Sequence, residues 1–187
     1  MKIAHSFEEV PELTHPVILT IGNFDGVHKG HQKILHVVRQ KAGPTGSAVV
    51  LTFQNHPQHH FSQDEKIPLI SSLEERIDLI EACDIDLVIA LPFDETLANL
   101  TYDTFLHSLR AHLPFDQLVL GEGSTLGKNR GGNEETLTAY AGKHGFSVHF
   151  VEKLLIDNIV VSSGRIRSLL QDRKKKEAEA LLGHHLQ

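Results

Sequence analysis

The chain has 187 residues, enough for one domain with a sizeable core and too few for two comfortable ones. Its formal charge of −6 excludes a general nucleic-acid binder, which relies on many Lys and Arg to neutralise phosphates, and the 40% hydrophobic and 22% charged residues are those of an ordinary globular protein. No window approaches the ~20 apolar residues that span a bilayer and the N-terminus carries no apolar signal core, so no membrane partner is expected and the cytoplasm is the simplest setting.

In chain order, the first apolar run is Val17–Ile21, and it ends in Gly22-Asn23-Phe24-Asp25-Gly26. Two glycines and an Asn–Asp pair permit a tight turn with unusual backbone angles. A helix is expected to start near Lys29, with Ile34, Leu35, Val37 and Val38 on its apolar stripe. A second run, Ala48–Phe53, leads into a polar loop whose His56, His59 and His60 are expected to be exposed or to face a ligand rather than bind metal. Ser72 and Glu75 form a capping-box signature for a helix marked by Leu73, Ile77 and Ile80. Cys83, the only cysteine, follows that helix, so no disulfide framework exists and a reactive thiol is not expected.

Leu87–Leu91 is the third strand-like run, and Leu106, Leu109 and Leu113 mark another helix. Leu118–Leu120 and Val148–Val151 complete five strand-like runs, several of them apolar throughout, which predicts a sheet covered on both faces. Strands alternating with helices predict right-handed crossovers and a mainly parallel sheet, in an α/β fold whose ligands gather at the carboxyl ends of the strands. Ile159-Val160-Val161 then runs into Ser162-Ser163-Gly164-Arg165-Ile166-Arg167, where the serines are good N-caps. The charge run Asp172–Glu177 leads into a short helical tail that packs Ala178, Leu181 and Leu182 and turns a solvated face outward, within a single domain spanning 1–187.

Two of these junctions carry chemistry. His28 and His31 lie three apart across the first helix start and would point to the same side, while Gly30 lets a phosphate approach the backbone. The helix N-terminus adds free N–H donors and partial positive charge. An anion site with two imidazoles suits attack on the α-phosphate of a nucleoside triphosphate, where charge builds on non-bridging and leaving oxygens. Zinc is the competing use, but no further ligand set at the usual spacing accompanies these histidines. At the second junction, Arg165 and Arg167 fall in a first helical turn, where cations oppose the helix dipole unless an anion sits there.

Together these residues resemble the FAD synthetase module of prokaryotic bifunctional riboflavin kinase/FAD synthetases. That family has a glycine-framed His-x-Gly-His loop near its start and Ser-Ser-x-Arg-Ile-Arg near the module's end. Thr52-Phe53-Gln54-Asn55-His56-Pro57 is similar to its Thr-Phe-x-Pro-His-Pro, and Ser72-Leu73-Glu74-Glu75-Arg76-Ile77 to its Ser-Leu-x-Glu-Lys/Arg-Ile. Gly127-Lys128-Asn129-Arg130-Gly131-Gly132-Asn133 is similar to its glycine-rich loop on the flavin phosphate side. The likeness runs from about residue 14 to 183.

The resemblance implies a Rossmann-like nucleotidylyltransferase fold with a five-stranded sheet, and conversion of ATP and FMN to FAD and pyrophosphate with Mg²⁺. By it, His28, His31 and Arg165 would be catalytic. Gly22, Asn23, Phe24, Asp25, Gly26, Gly30, Ser162, Ser163 and Arg167 would line the ATP site. Asn55, His56, Asn129, Arg130 and Asn133 would face FMN. No protein ligand to Mg²⁺ is assigned; Asp25 is the nearest carboxylate in the motif.

The chain departs from the pattern at Asn55, which replaces a Pro and predicts a less rigid loop. Gly123 and Ser124 stand for the family's Asp-Phe and Leu126 for a second Phe, predicting a looser flavin-facing wall, and Gly164 stands for a Thr. No Gly-x-Pro-Thr-Ala-Asn signature follows Leu181-Leu182-Gly183, so riboflavin phosphorylation is not expected of this polypeptide. Two alternatives stay open: the same chemistry on another phosphate acceptor, and a flavin- or nucleotide-binding module without turnover.

Overall fold

A computed structural model describes residues 1–57 and 67–186. The chain runs β1 (Lys2–Ala4), β2 (Val17–Ile21), α1 (Lys29–Ala42), β3 (Ser47–Phe53), α2 (Leu73–Glu81), β4 (Leu87–Leu91), α3 (Glu95–Asn99) and α4 (Tyr102–His112). It continues through β5 (Gln117–Gly121), α5 (Glu134–His144), β6 (Ser147–Val151), β7 (Leu155–Ile156), β8 (Ile159–Val160), α6 (Ser163–Gln171) and α7 (Lys175–Leu182).

The main sheet has the order β1-β4-β3-β2-β5-β6, and every pairing in it is parallel. All five expected strands are present. The sheet is nevertheless six-stranded rather than five-stranded, because Lys2–Ala4 adds an edge strand beside β4. Three residues, two of them exposed, give no periodic signal. A further hairpin, β7 with β8, turns at Asp157 and Asn158, both at positive φ, a turn chemistry that Asp and Asn tolerate.

Residues alternate across the sheet. Val17, Leu19 and Ile21 join Val49, Leu51 and the α4 residues Phe105, Leu106 and Leu109 in one buried layer. Ile18, Val50, Val88 and Val119 face the other way, against Leu35 and Val38 of α1 and Ile80 of α2. Both layers are dry, which is why the strands read as continuous apolar runs. The chain moves from β2 outward to β3 and β4, then returns to β5 on the other side of β2. The strand order therefore switches between β2 and β5, and the loop after β2 opens at that crevice.

A third cluster, Ile166, Leu169, Ala178 and Leu182, joins α6 to α7. The Ser72–Glu75 capping box forms in both directions, at 3.1 and 2.7 Å. Cys83 is buried, and burial pushes its thiol up, the setting of an inert sulfur. No helix among the described residues is long and apolar enough to cross a membrane.

Candidate active site

The loop between β2 and α1 holds strained backbone. Phe24 sits at φ 51° and Val27 at φ 34°, positions that a bulky or β-branched residue rarely adopts. Gly26 lies between them at φ 75°, and a Cβ there would come within 2.6 Å of Ile70. Strain of this kind persists only where surroundings over-determine it.

Asp25 is the main restraint. Its carboxylate is 1% exposed and accepts from the Ile70 and Ser71 backbone N–H groups at 3.0 and 3.2 Å. Arg167, reaching over from α6, donates to it at 2.6 Å. Gly26 N–H donates to Ser71 Oγ at 2.9 Å, and Ser163 Oγ donates to the Asp25 carbonyl at 3.1 Å. The anion that Arg167 needs at the start of α6 is thus Asp25 itself. Asp25 and Arg167, both expected to line the ATP site, bind each other and so join the two sequence motifs.

His28 caps α1. Its Nδ1 accepts from the His31 backbone N–H at 3.2 Å, so a neutral ring carries its proton on Nε2, free to donate. The rings of His28 and His31 stack with centroids 3.6 Å apart and 15° between planes, and Phe24 meets His31 edge-on at 5.1 Å. Two imidazolium ions would not stack so closely. Burial, chiefly, lowers His28 to about 4. His31 is held well below the usual imidazole range by burial, then by His28 and by Arg76. A Cβ on Gly30 would press on His28 at 3.1 Å and lie 3.4 Å from the Val161 carbonyl, which places the starts of α1 and α6 side by side.

Ser162 caps α6, accepting from the Arg165 backbone N–H at 3.3 Å. The Arg165 guanidinium is exposed and has no partner among the described residues. The buried Asn23 amide, Nδ2 and Oδ1 alike, also lacks one. Gly22 packs against the Phe24 ring, which a Cβ would meet at 3.0 Å.

A cavity of about 710 Å³, which reaches Ile21 at the end of β2, is lined by Phe53, Phe93, Phe105, Leu97, Leu126, Lys128, Asn129 and Arg130 among others. Its volume suits a drug-sized or cofactor-sized ligand. Of the residues expected to face FMN, Asn129 and Arg130 line it; both adopt positive φ, at 56° and 57°. Asn55, His56 and Asn133 do not line it. Asn133 caps α5, its Oδ1 accepting from Thr136 N–H at 3.1 Å. His56 is buried, not exposed, and its Nε2 lies 3.4 Å from Arg167 Nη2, beside the Asp25–Arg167 pair. His59 and His60 lie outside the described residues.

Asn55 binds Phe93 reciprocally, its Nδ2 donating to the carbonyl and its Oδ1 accepting from the N–H, both at 2.8 Å. The loop expected to loosen when Pro was replaced is held by these two bonds. Gly123 and Ser124 fall outside the cavity lining, and aromatic rings from β3, α4 and the segment after β4 supply its wall instead.

The residues that sequence reasoning passed over are Arg76 and His184. Arg76 is fully buried under the loop; its place in the Ser72–Ile77 motif was the available signal. His184 Nε2 lies 2.9 Å from the Gly26 carbonyl, and nothing near it in sequence announces that contact.

A family model described as FAD synthetase matches residues 10–165. The chain is 33% identical over 185 residues to a bifunctional riboflavin kinase/FMN adenylyltransferase of Haemophilus influenzae, covering 98% of this chain and 60% of that one. It is 30% identical over 182 residues to the protein of the same description in Escherichia coli K12, and 33% identical over 184 residues to that of Bacillus subtilis 168. The chain therefore spans about three fifths of the length of these curated relatives. Among solved structures, one described as a macrolide-efflux protein from Streptococcus pneumoniae superposes with a TM-score of 0.85 at 25% identity, covering 98% of this chain and 60% of that one. Motif order, fold and these matches agree: the chain belongs to the FAD synthetase family.

Proposed function

We propose that the chain is an FMN adenylyltransferase, transferring AMP from ATP to FMN. The observation that carries this is the stacked, neutral imidazole pair held at the start of α1, beside the start of α6 and next to an apolar cavity with a basic rim. Two adjacent helix starts offer N–H donors and positive potential to a triphosphate. The cavity offers aromatic faces to an isoalloxazine ring, and Lys128, Asn129 and Arg130 meet its phosphate.

In the reaction, an FMN phosphate oxygen attacks the α-phosphorus of ATP. A P–O bond forms there as the bond to the α–β bridging oxygen breaks, and pyrophosphate leaves with that electron pair. Charge builds on the non-bridging oxygens and on the leaving group. His28 Nε2–H donates to those oxygens, the ring being fixed by its cap bond and its stack. His31 supports His28 from behind, and the free Arg165 reaches the β- and γ-phosphates. Donors aimed in advance at developing charge supply the main rate enhancement. Asp25 and Arg167 hold the loop rather than the substrate.

Mg²⁺ would accompany ATP and neutralise phosphate charge. The Asp25 carboxylate is saturated, and no group of three or more His, Cys, Asp or Glu suited to a metal occurs among the described residues. The ion would accordingly be held by phosphates and water, and no step is routed through a protein-bound metal. We place the reaction in the cytoplasm, with small molecules as its only required partners.

Incubating the chain with ATP, Mg²⁺ and FMN should yield FAD and pyrophosphate in equal amounts. Pyrophosphate release with pantetheine phosphate, nicotinate mononucleotide or glycerol phosphate and none with FMN would overturn the acceptor assignment. ATP binding with no turnover on any acceptor would overturn the chemistry.

A further inference from the structure

Arg76 lies on α2, four residues after its cap, where the helical stripe asks for a Leu or Met. It is 0% exposed, the largest fully buried side chain among the described residues. Its Nη1 donates to the Phe53 carbonyl at 2.8 Å and to Thr52 Oγ1 at 3.3 Å. Its Nε and Nη2 have no acceptor, and no carboxylate is in salt-bridge contact with it, the charge of Asp25 acting on it only from further off. A buried cation with orphaned donors and no carboxylate in contact is expensive, and a well-packed hydrophobe at such a position is often neutral or stabilising. Core packing therefore gives no account of an arginine here.

The geometry around it does. Thr52 Oγ1, while accepting from Arg76, donates to the Asn23 carbonyl at 3.1 Å. Arg76 is thereby tied through one hydroxyl to the start of the strained loop. The other buried, unpartnered polar atoms of the described residues are the Asn23 amide and His31 Nδ1, both in that same loop and its helix. Unsatisfied polar groups gather at this one place, as they do where a structure keeps strain for function.

We propose that Arg76 is a positioning residue for adenylyl transfer, a fixed cation beneath residues 22–31 that holds Asn23 and His31 in their working placement. The proposal rests on the adenylyl-transfer reading given above. One guanidinium nitrogen, Nη1, anchors Thr52 and Phe53 together, at a reach and direction that the shorter lysine stem does not reproduce. Its charge adds to the positive potential under the transferring phosphate, in a site where little water screens it. It also opposes protonation of His31, along with burial and the adjoining His28. The other charged or titratable groups facing this imidazole pair are Asp25 and Arg167, with His56 beside Arg167.

The test measures FAD formation by the full chain, wild type, Arg76→Met and Arg76→Lys, from about pH 5 to about pH 9, with melting temperatures alongside. In Arg76→Met, kcat should fall at least ~10-fold while the melting temperature holds or rises. The acid limb of kcat should move to higher pH, because His31 regains basicity without the cation. Arg76→Lys should keep the acid limb in place and lose kcat by roughly 3- to 10-fold, since it keeps the charge and loses the placement of the Nη1 donor. A folded Arg76→Met with kcat within ~2-fold of wild type and an unmoved limb would overturn the proposal. If Arg76→Met does not fold, Arg76→Lys decides alone, and wild-type kcat in it would overturn the proposal. Wild-type protein that makes no FAD would instead sink the adenylyl-transfer reading, and the role for Arg76 with it.

Discussion

His28 is where conformation and chemistry meet in one ring. Its Nδ1 is spent on capping α1, so the proton of the neutral form stands on Nε2. Replacing it by Ala should lower kcat by at least ~100-fold and change the ATP dissociation constant by less than ~3-fold, if its bond forms in the transition state. Equal losses in binding and turnover would mark a binding residue only. The ring also makes folding sensitive to acid. Its folded value of about 4 lies below the usual 6.5, so the unfolded chain takes up this proton first. Stability is therefore complete above pH ~6.5 and declines as pH falls toward 4, by roughly 3 kcal/mol from this group, with His31 adding in the same direction. Urea midpoints at neutral and acid pH should record that slope, and His28→Asn should flatten it. An unchanged slope in the variant would mean that other groups carry the acid sensitivity.

At the scale of elements, the loops around the cavity are held by contacts that tolerate little change. Gly127 sits at φ 73°, and a Cβ there would lie 2.3 Å from the Tyr102 backbone nitrogen at the start of α4. Gly127→Ala should destabilise the protein and raise the KM for FMN with little effect on that for ATP; parallel rises in both would contradict the assignment of this loop to FMN. Asn55→Ala removes two hydrogen bonds to Phe93, whose ring packs edge-on against Phe53 at 5.2 Å in the cavity wall, and it should likewise weaken FMN alone. Such effects explain what was readable from sequence. The five apolar strands were legible because both faces of the sheet are covered, and the Ser72–Glu75 cap because its bonds span three residues. Lys2–Ala4 was not, being short and half exposed. The anchoring of Asn55 was not either, because its partner lies 38 residues away.

Across the whole molecule, the loop after β2 is held by segments from both ends of the chain. Gln32 Nε2 donates to the carbonyls of Val27 and Leu182, each at 2.8 Å, and His184 approaches Gly26. Leu182 is fully buried between α6 and α7, and Leu182→Ala should cost about 2–5 kcal/mol by thermal or urea unfolding. It should also reduce turnover by loosening the loop at Gly26; full activity in a destabilised variant would separate the tail from the site. Motif order predicts that residues 22–31 and 162–167 act together, and the structure brings the two segments into contact. That Asp25 and Arg167 bind each other across 142 positions was not legible, because a pairing partner leaves no periodic trace. The same closure between distant segments sets an order of events in folding. Contacts of such long sequence separation carry the loop-closure entropy that slows folding, and they form after local structure. A chain whose sheet has formed while α6 and α7 remain undocked has its histidines but lacks their restraints. During synthesis the loop leaves the ribosome early, yet it cannot be locked until residues near 184 follow.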